Sequence, residues 1–325
     1  MTYISTEPRV TGNWNDICYP IGSEWLTDLL PDYDIIATDR QQLVVGQMPG
    51  GRKTLFGIQS ADYTFVPNAA IREVIDGLLA DYQLVAKHTV TGEFSICIVL
   101  PDTVQIGGEA IHRSLTLTNS YNGKTPFSIQ GQSLMTVLDP ATRLGSSLYR
   151  DLCQNGLMGW ADPFSDLPAY RSWLGQWTSE FKKKGLPARK GVPERTRQAR
   201  SDIRNIHHNS LTIERFQEHL HALLVEHLAT TANLTTEVYA HLTRTGVPLS
   251  DETLLKSLPI PVQLAKQARE RLRLEERLLE AEPSYWLLYN AVNYSLFTAR
   301  SSLTLNDRYR LDERVFHQLA AHSFA

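Results

Sequence analysis

The stretch LTLTNSYNGKTPFSIQ, residues 115–130, decides how the N-terminal half is read. Two β-prone runs, Leu115–Asn119 and Pro126–Gln130, flank Tyr121-Asn122-Gly123-Lys124. An Asn-Gly pair in that position predicts an antiparallel hairpin, because both turn residues must tolerate positive φ. Working upstream, short apolar runs bounded by turn residues predict strands over Asp34–Ala37, Gln42–Gly46, Lys53–Gln59, Tyr82–Val90 and Glu93–Leu100. Among them Ala70, Ile71, Val74, Ile75, Leu78 and Leu79 repeat at helical spacing, which predicts a helix over Asn68–Leu79.

Downstream of about residue 160 the periodicity becomes helical throughout. Tyr170, Trp173, Trp177 and Phe181 fall on one helical face, and so do Ile213, Phe216, Leu220, Leu223, Leu224 and Leu228. Pro261–Glu280 places Leu264, Ala268 and Leu272 on one side and pairs Arg271 with Glu275 at i,i+4. A further helix is expected over Ser284–Phe297. The expected fold is therefore α+β: an N-terminal mixed antiparallel sheet with helices, then a mainly α-helical C-terminal half. The expected division is an α+β domain at 1–160, an aromatic helix and basic connector at 161–204, and a helical domain at 205–325.

The composition is that of an ordinary globular chain: 325 residues, 42% hydrophobic and 21% charged, with a net charge of −3. That balance excludes a uniformly basic coat for nucleic acid. Cys18, Cys97 and Cys153 are widely spaced and odd in number, so neither a disulfide framework nor a paired-cysteine zinc site is expected. The first residues, MTYISTEPRVTGNW, show neither a basic start nor an apolar stretch, so no signal peptide is expected. The longest apolar run, Ile96–Leu100, is far below the roughly 20 residues that cross a bilayer. A cytoplasmic protein with no membrane partner is the expectation.

One segment departs from this average. Residues 182–204 hold Lys182, Lys183, Lys184, Arg189, Lys190, Arg195, Arg197, Arg200 and Arg204, opposed only by Glu194 and Asp202, a net +7. With the whole chain at −3, everything outside the segment carries −10. Cations concentrated in this way suit phosphate neutralisation, which dominates non-specific binding to nucleic acid. The plainer role for such a loop is to neutralise acidic surface on its own molecule. Trp173, Trp177 and Phe181 precede it directly, and aromatic faces stack on the bases of single strands. At helical spacing, with Tyr170, they read first as a core-facing stripe. Lys182–Lys184 also complement the negative end of the predicted helix, with Gly185 as its stop.

Other chemistries have thinner support. His219 and His221 diverge on their helix, His227 lies within an apolar stripe, and His207 and His208 are sequence neighbours, so no metal site is expected. Asp32, Asp34 and Asp39 cluster as turn carboxylates commonly do. The doublets Gly50-Gly51 and Gly107-Gly108 lack the Lys-Ser/Thr of a phosphate loop, and no cofactor is expected. Cys153 and His208, with Asn119 or Asn155 to orient the base, supply the residue types of a nucleophilic enzyme. Nothing in their spacing brings them together, and an inert buried cysteine is the plainer reading.

Several segments in order resemble one family: Gly57-Ile58-Gln59-Ser60 with Tyr63 and Val66-Pro67-Asn68; Asn119-Ser120-Tyr121-Asn122-Gly123; Leu152-Cys153-Gln154-Asn155-Gly156-Leu157; Ile206-His207-His208-Asn209; and Tyr285 to Val292. The resemblance is to the phage- and plasmid-related proteins of unknown function labelled lateral-transfer candidates. It implies a mobile-element origin and no defined reaction. The polar residues that recur in the family fall at Tyr63, Asn68, Asn119, Asn122, Cys153, Asn155 and His208. The family often carries an acid where this chain has Asn122, which weakens any metal or acid–base role there. Mobile elements commonly encode proteins that act on DNA, an analogy and no more. The leading expectation is a mobile-element protein that binds DNA non-specifically, single strands favoured, as a homo-oligomer, in recombination, replication or element maintenance. The alternatives are an enzyme centred on Cys153 and His208, and a phage-encoded binder of host or phage proteins.

Overall fold

The computed structural model describes residues 9–29, 32, 41–51, 53–61, 63–106, 109–124, 127–135, 157–161, 164–184, 212–229, 234–247, 252–279 and 282–325. It shows N-terminal antiparallel sheets with a helix, followed by a mainly helical C-terminal half. Strands β1 (Arg9–Thr11), β5 (Gln83–His88), β6 (Glu93–Ile106), β7 (Glu109–Ser120), β8 (Ser128–Met135) and β9 (Leu157–Met158) lie in one sheet in that order. Strands β2 (Ile21–Glu24), β3 (Gln41–Gln47) and β4 (Lys53–Ser60) form a second sheet, also in that order. The residues group into two compact units that interleave along the chain: Met1–Ile98, Thr116–Gln130 and Arg204–Thr231 in the first, and the remainder in the second.

In the first unit the β5–β6 connection is set by Gly92. The Gly92 amide donates to the Thr89 carbonyl at 3.1 Å, the Thr89 amide donates to the Glu93 carbonyl at 3.0 Å, and Gly92 has φ +78°. A side chain there would be strained by the backbone and would also meet the Phe56 ring at 2.6 Å. Phe56 belongs to an aromatic cluster with Tyr19, Phe94 and Tyr121; its own centroid lies 6.1 Å from Tyr19 and 5.5 Å from Tyr121. The register of β4 on β3 slips at Val44/Val45, so Gly57 opposes Val44, Leu55 opposes Val45, and Phe56 is the extra residue of a bulge. The bulge turns Phe56 inward, while Leu55 and Ile58 stay 53% and 57% exposed. Gly92→Ala is expected to destabilise the protein by roughly 2–4 kcal/mol, combining positive-φ strain with overpacking. Chemical denaturation checks this, and a loss below about 0.5 kcal/mol would mean that the ring moves aside freely.

Helix α1 (Leu26–Leu29) follows β2, and α2 (Asn68–Leu78) buries Ala70, Ile71, Val74 and Ile75, the predicted stripe. Helix α4 (Ile213–Ala229) packs on α2, where Gln217 Nε2 donates to Glu73 at 2.8 Å and to the Ala70 carbonyl at 3.3 Å. Phe216 meets Phe127 edge-on at 4.7 Å between centroids. The apolar face of α4 is therefore spent on the sheet-bearing unit, although in sequence it opens the helical run. Two strands exceed their predicted lengths. Strand β6 continues past Pro101 and β7 begins at Glu109. Strand β6 contains Pro101, although proline offers no N–H to a sheet ladder. The predicted hairpin joins β7 to β8 through residues 121–127, a longer connection than a two-residue turn. The strand expected at Asp34–Ala37 lies outside the described residues.

The second unit holds α3 (Leu167–Lys184), α5 (Leu234–Arg244), α6 (Glu252–Ser257), α7 (Val262–Leu279), α8 (Tyr285–Thr298) and α9 (Leu305–Ser323). Helix α8 is buried on nearly every side, as a helix apolar all round must be, and packs against α5, α7 and α9. The Ser284 hydroxyl caps its start by accepting from the Leu287 amide. Thr304 and Asp307 form a reciprocal capping box at the start of α9. On α7 the predicted Arg271–Glu275 pair forms at 2.6 Å, but Glu275 is fully buried on the Leu264–Ala268–Leu272 face. The Arg271 guanidinium lies 4.3 Å above the Tyr294 ring.

Candidate functional site

Among the residues singled out by sequence, Asn119 is the one of the enzyme set that the structure describes. It is the penultimate residue of β7 and has no exposed surface. Its Nδ2 donates to the Val66 carbonyl at 2.9 Å and to Asn68 Oδ1 at 2.8 Å, and its Oδ1 accepts from the Ser120 amide at 2.9 Å. Asn68, itself fully buried, donates from Nδ2 to the Ile17 carbonyl and from its backbone amide to the Tyr121 hydroxyl. Both amide hydrogens of Asn119 thus point inward and are used, and its carbonyl oxygen, the atom that would accept from the N–H of a base, already accepts from the Ser120 amide. Asn119 ties the end of β7 to the entry of α2. Cys153, Asn155 and His208 lie outside the described residues.

The same lock gathers residues named separately in sequence. Gln42 Nε2 donates to the Ser60 and Tyr63 carbonyls, which holds the chain where it leaves β4. Gly57 faces Asn122, with its missing Cβ 3.5 Å from the Asn122 backbone. Gly123 has φ +72° and lies under the Gln59 amide. Asn122 donates to the Thr91 carbonyl and accepts from the Lys124 amide, so its side chain serves the turn. Gly57–Ser60, Asn68 and Asn119–Gly123 are therefore neighbours in one unit, in contacts that define loop geometry.

Trp173 lies in the core, as its helical spacing first suggested. As a base-stacking platform it needs an open face, yet it is only 8% exposed. Phe164 lies at 5.0 Å, Tyr170 at 6.0 Å and His317 at 4.8 Å from its ring centre. Tyr170 is fully buried, and its hydroxyl lies 2.8 Å from His317 Nδ1. The aromatic stripe on α3 is core at Tyr170 and Trp173 because α9 packs against it. Trp177 and Phe181 stand on the following turns of α3, with side chains outside the described residues. Trp25 is the most exposed tryptophan among described side chains, at 47%, next to Glu24, which pairs with Lys53 at 2.9 Å.

Lys182, Lys183 and Lys184 stand at the end of α3 as described, and Gly185 lies outside the described residues. Arg189, Lys190, Arg195, Arg197, Arg200 and Arg204 lie outside the described residues. Among the described residues no three histidine, cysteine or acidic side chains are grouped to hold a metal ion. No described helix is long and apolar enough to cross a membrane.

A polar centre that the sequence reading passed over lies within the helical unit. Asp312 on α9 is fully buried. Its Oδ2 accepts from Trp160 Nε1 at 2.8 Å and from the Tyr289 hydroxyl at 2.9 Å, and its Oδ1 accepts from Asn293 Nδ2 at 3.0 Å. Burial raises its pKa to about 6, against the downward pull of the three donors. One turn away Arg308, also buried, donates to the carbonyls of Leu296 and Ala299 and so closes the C-terminal end of α8. The signal was available: Asp312 falls in the spacing of Val315, Phe316 and Leu319, a carboxylate on the apolar face of its helix. With three donors satisfied by one carboxylate, the centre joins α8, α9 and the segment at Trp160.

Cys97 is buried, and burial pushes the Cys18 thiol up to about 11. Alkylation of the folded protein at neutral pH is therefore expected to be slow at Cys18, which holds its proton, and at Cys97, which reagent does not reach. Fast labelling mapped by mass spectrometry to Cys153 would instead establish an activated nucleophile.

Compared with protein-family models, curated proteins and solved structures, the chain matches none.

Proposed function

We propose that this chain is a mobile-element protein that binds DNA non-specifically, single strands favoured, and serves recombination, replication or element maintenance. The observation that carries the reading is the net +7 of residues 182–204 on a chain that is otherwise −10. Separated charge of that size attracts a polyanion and releases its counterions without reading sequence. Helix α3 supports the reading by leading directly into the segment, with Lys182–Lys184 as its final turn. One arm of this size binds weakly at cellular salt, so a homo-oligomer that places several arms on one strand supplies the affinity. The burial of Trp173 moves the weight from stacking to phosphate contact.

The test is the salt dependence of binding to a labelled single-stranded oligonucleotide. Replacing Lys182, Lys183, Lys184, Arg189 and Lys190 by Ala is expected to flatten the slope of log K against log salt. The expected change is about 2–3.5, at about 0.7 per phosphate contact on a single strand. The melting temperature of the variant, measured alongside, establishes that it is folded. An unchanged slope in a folded variant would overturn the reading.

A further inference from the structure

We draw no further inference here: the strongest candidate, the exposed apolar pair Leu55 and Ile58 on the outer strand β4 of the three-stranded sheet, carries nothing because nothing in the structure shows what covers it.

Discussion

Asp312→Ala is expected to cost about 4 kcal/mol or more, a large share of the roughly 5–15 kcal/mol that holds a domain folded. The substitution leaves Trp160 Nε1, the Tyr289 hydroxyl and Asn293 Nδ2 without their acceptor inside a packed unit. Each orphaned donor costs about 1–3 kcal/mol, and the vacated volume adds to that. Asp312→Asn keeps the shape and one acceptor oxygen, so about 1–2 kcal/mol is expected once the Asn293 amide turns. Urea denaturation at neutral pH ranks the two. An Ala variant within about 1 kcal/mol of the parent would show that the three donors find other partners.

Acid sharpens the same experiment. The folded pKa of Asp312, about 6, stands above its ordinary value of 3.8. The native state therefore holds this proton more tightly than the unfolded chain does. The contribution from this group is most favourable below the ordinary value, and it is lost as pH rises through about 6. Relative to Asp312→Asn, which cannot titrate, the parent should gain about 2 kcal/mol between pH 7 and about pH 4.5. Other carboxylates contribute equally to both proteins and cancel in the difference. A flat difference would place the Asp312 pKa at its ordinary value and contradict the burial described above.

How much of this was legible in sequence depended on whether the signal was local. The stripe on α2, the strands β3 and β4 and the limits of α8 follow from periodicity, turn residues and an N-cap serine, all short-range features. The length of β6 was hidden by Pro101, a breaker in general that this strand nonetheless contains. The placement of α4 with α2 was hidden because an apolar stripe says that a helix packs and not on what. Asn119 shows the limit most clearly. An asparagine near an Asn-Gly turn reads as a polar surface residue or a catalytic helper. Its actual partners, Val66 and Asn68, are about fifty residues away, and no pattern in one sequence connects them. Trp173 was read both as core and as a stacking surface, and packing by Phe164, Tyr170 and His317 decides for core.

Asn119→Asp is expected to be more damaging at neutral pH than Asn119→Ala, an inversion that only the buried geometry explains. Alanine removes the partner of the Val66 carbonyl, of Asn68 Oδ1 and of the Ser120 amide, an expected loss of about 2–4 kcal/mol. Aspartate keeps the size but sets a carboxylate oxygen against two acceptors at the 2.8 and 2.9 Å now spanned by donated hydrogens. The group must then protonate, or the entry of α2 must move away from β7, and an unpaired buried charge costs more than a cavity. The two variants should therefore converge as the pH falls below the raised pKa of the new carboxyl, because a protonated acid regains one donor. A solvent-facing Asn119 with a role only in chemistry predicts the reverse: both variants stable, neither pH-dependent, and any defect confined to activity. Denaturation of the two variants at neutral and mildly acidic pH separates these outcomes without any knowledge of substrate. Aspartate as stable as the parent at neutral pH would release the amide from its structural duty and return Asn119 to the enzyme alternative.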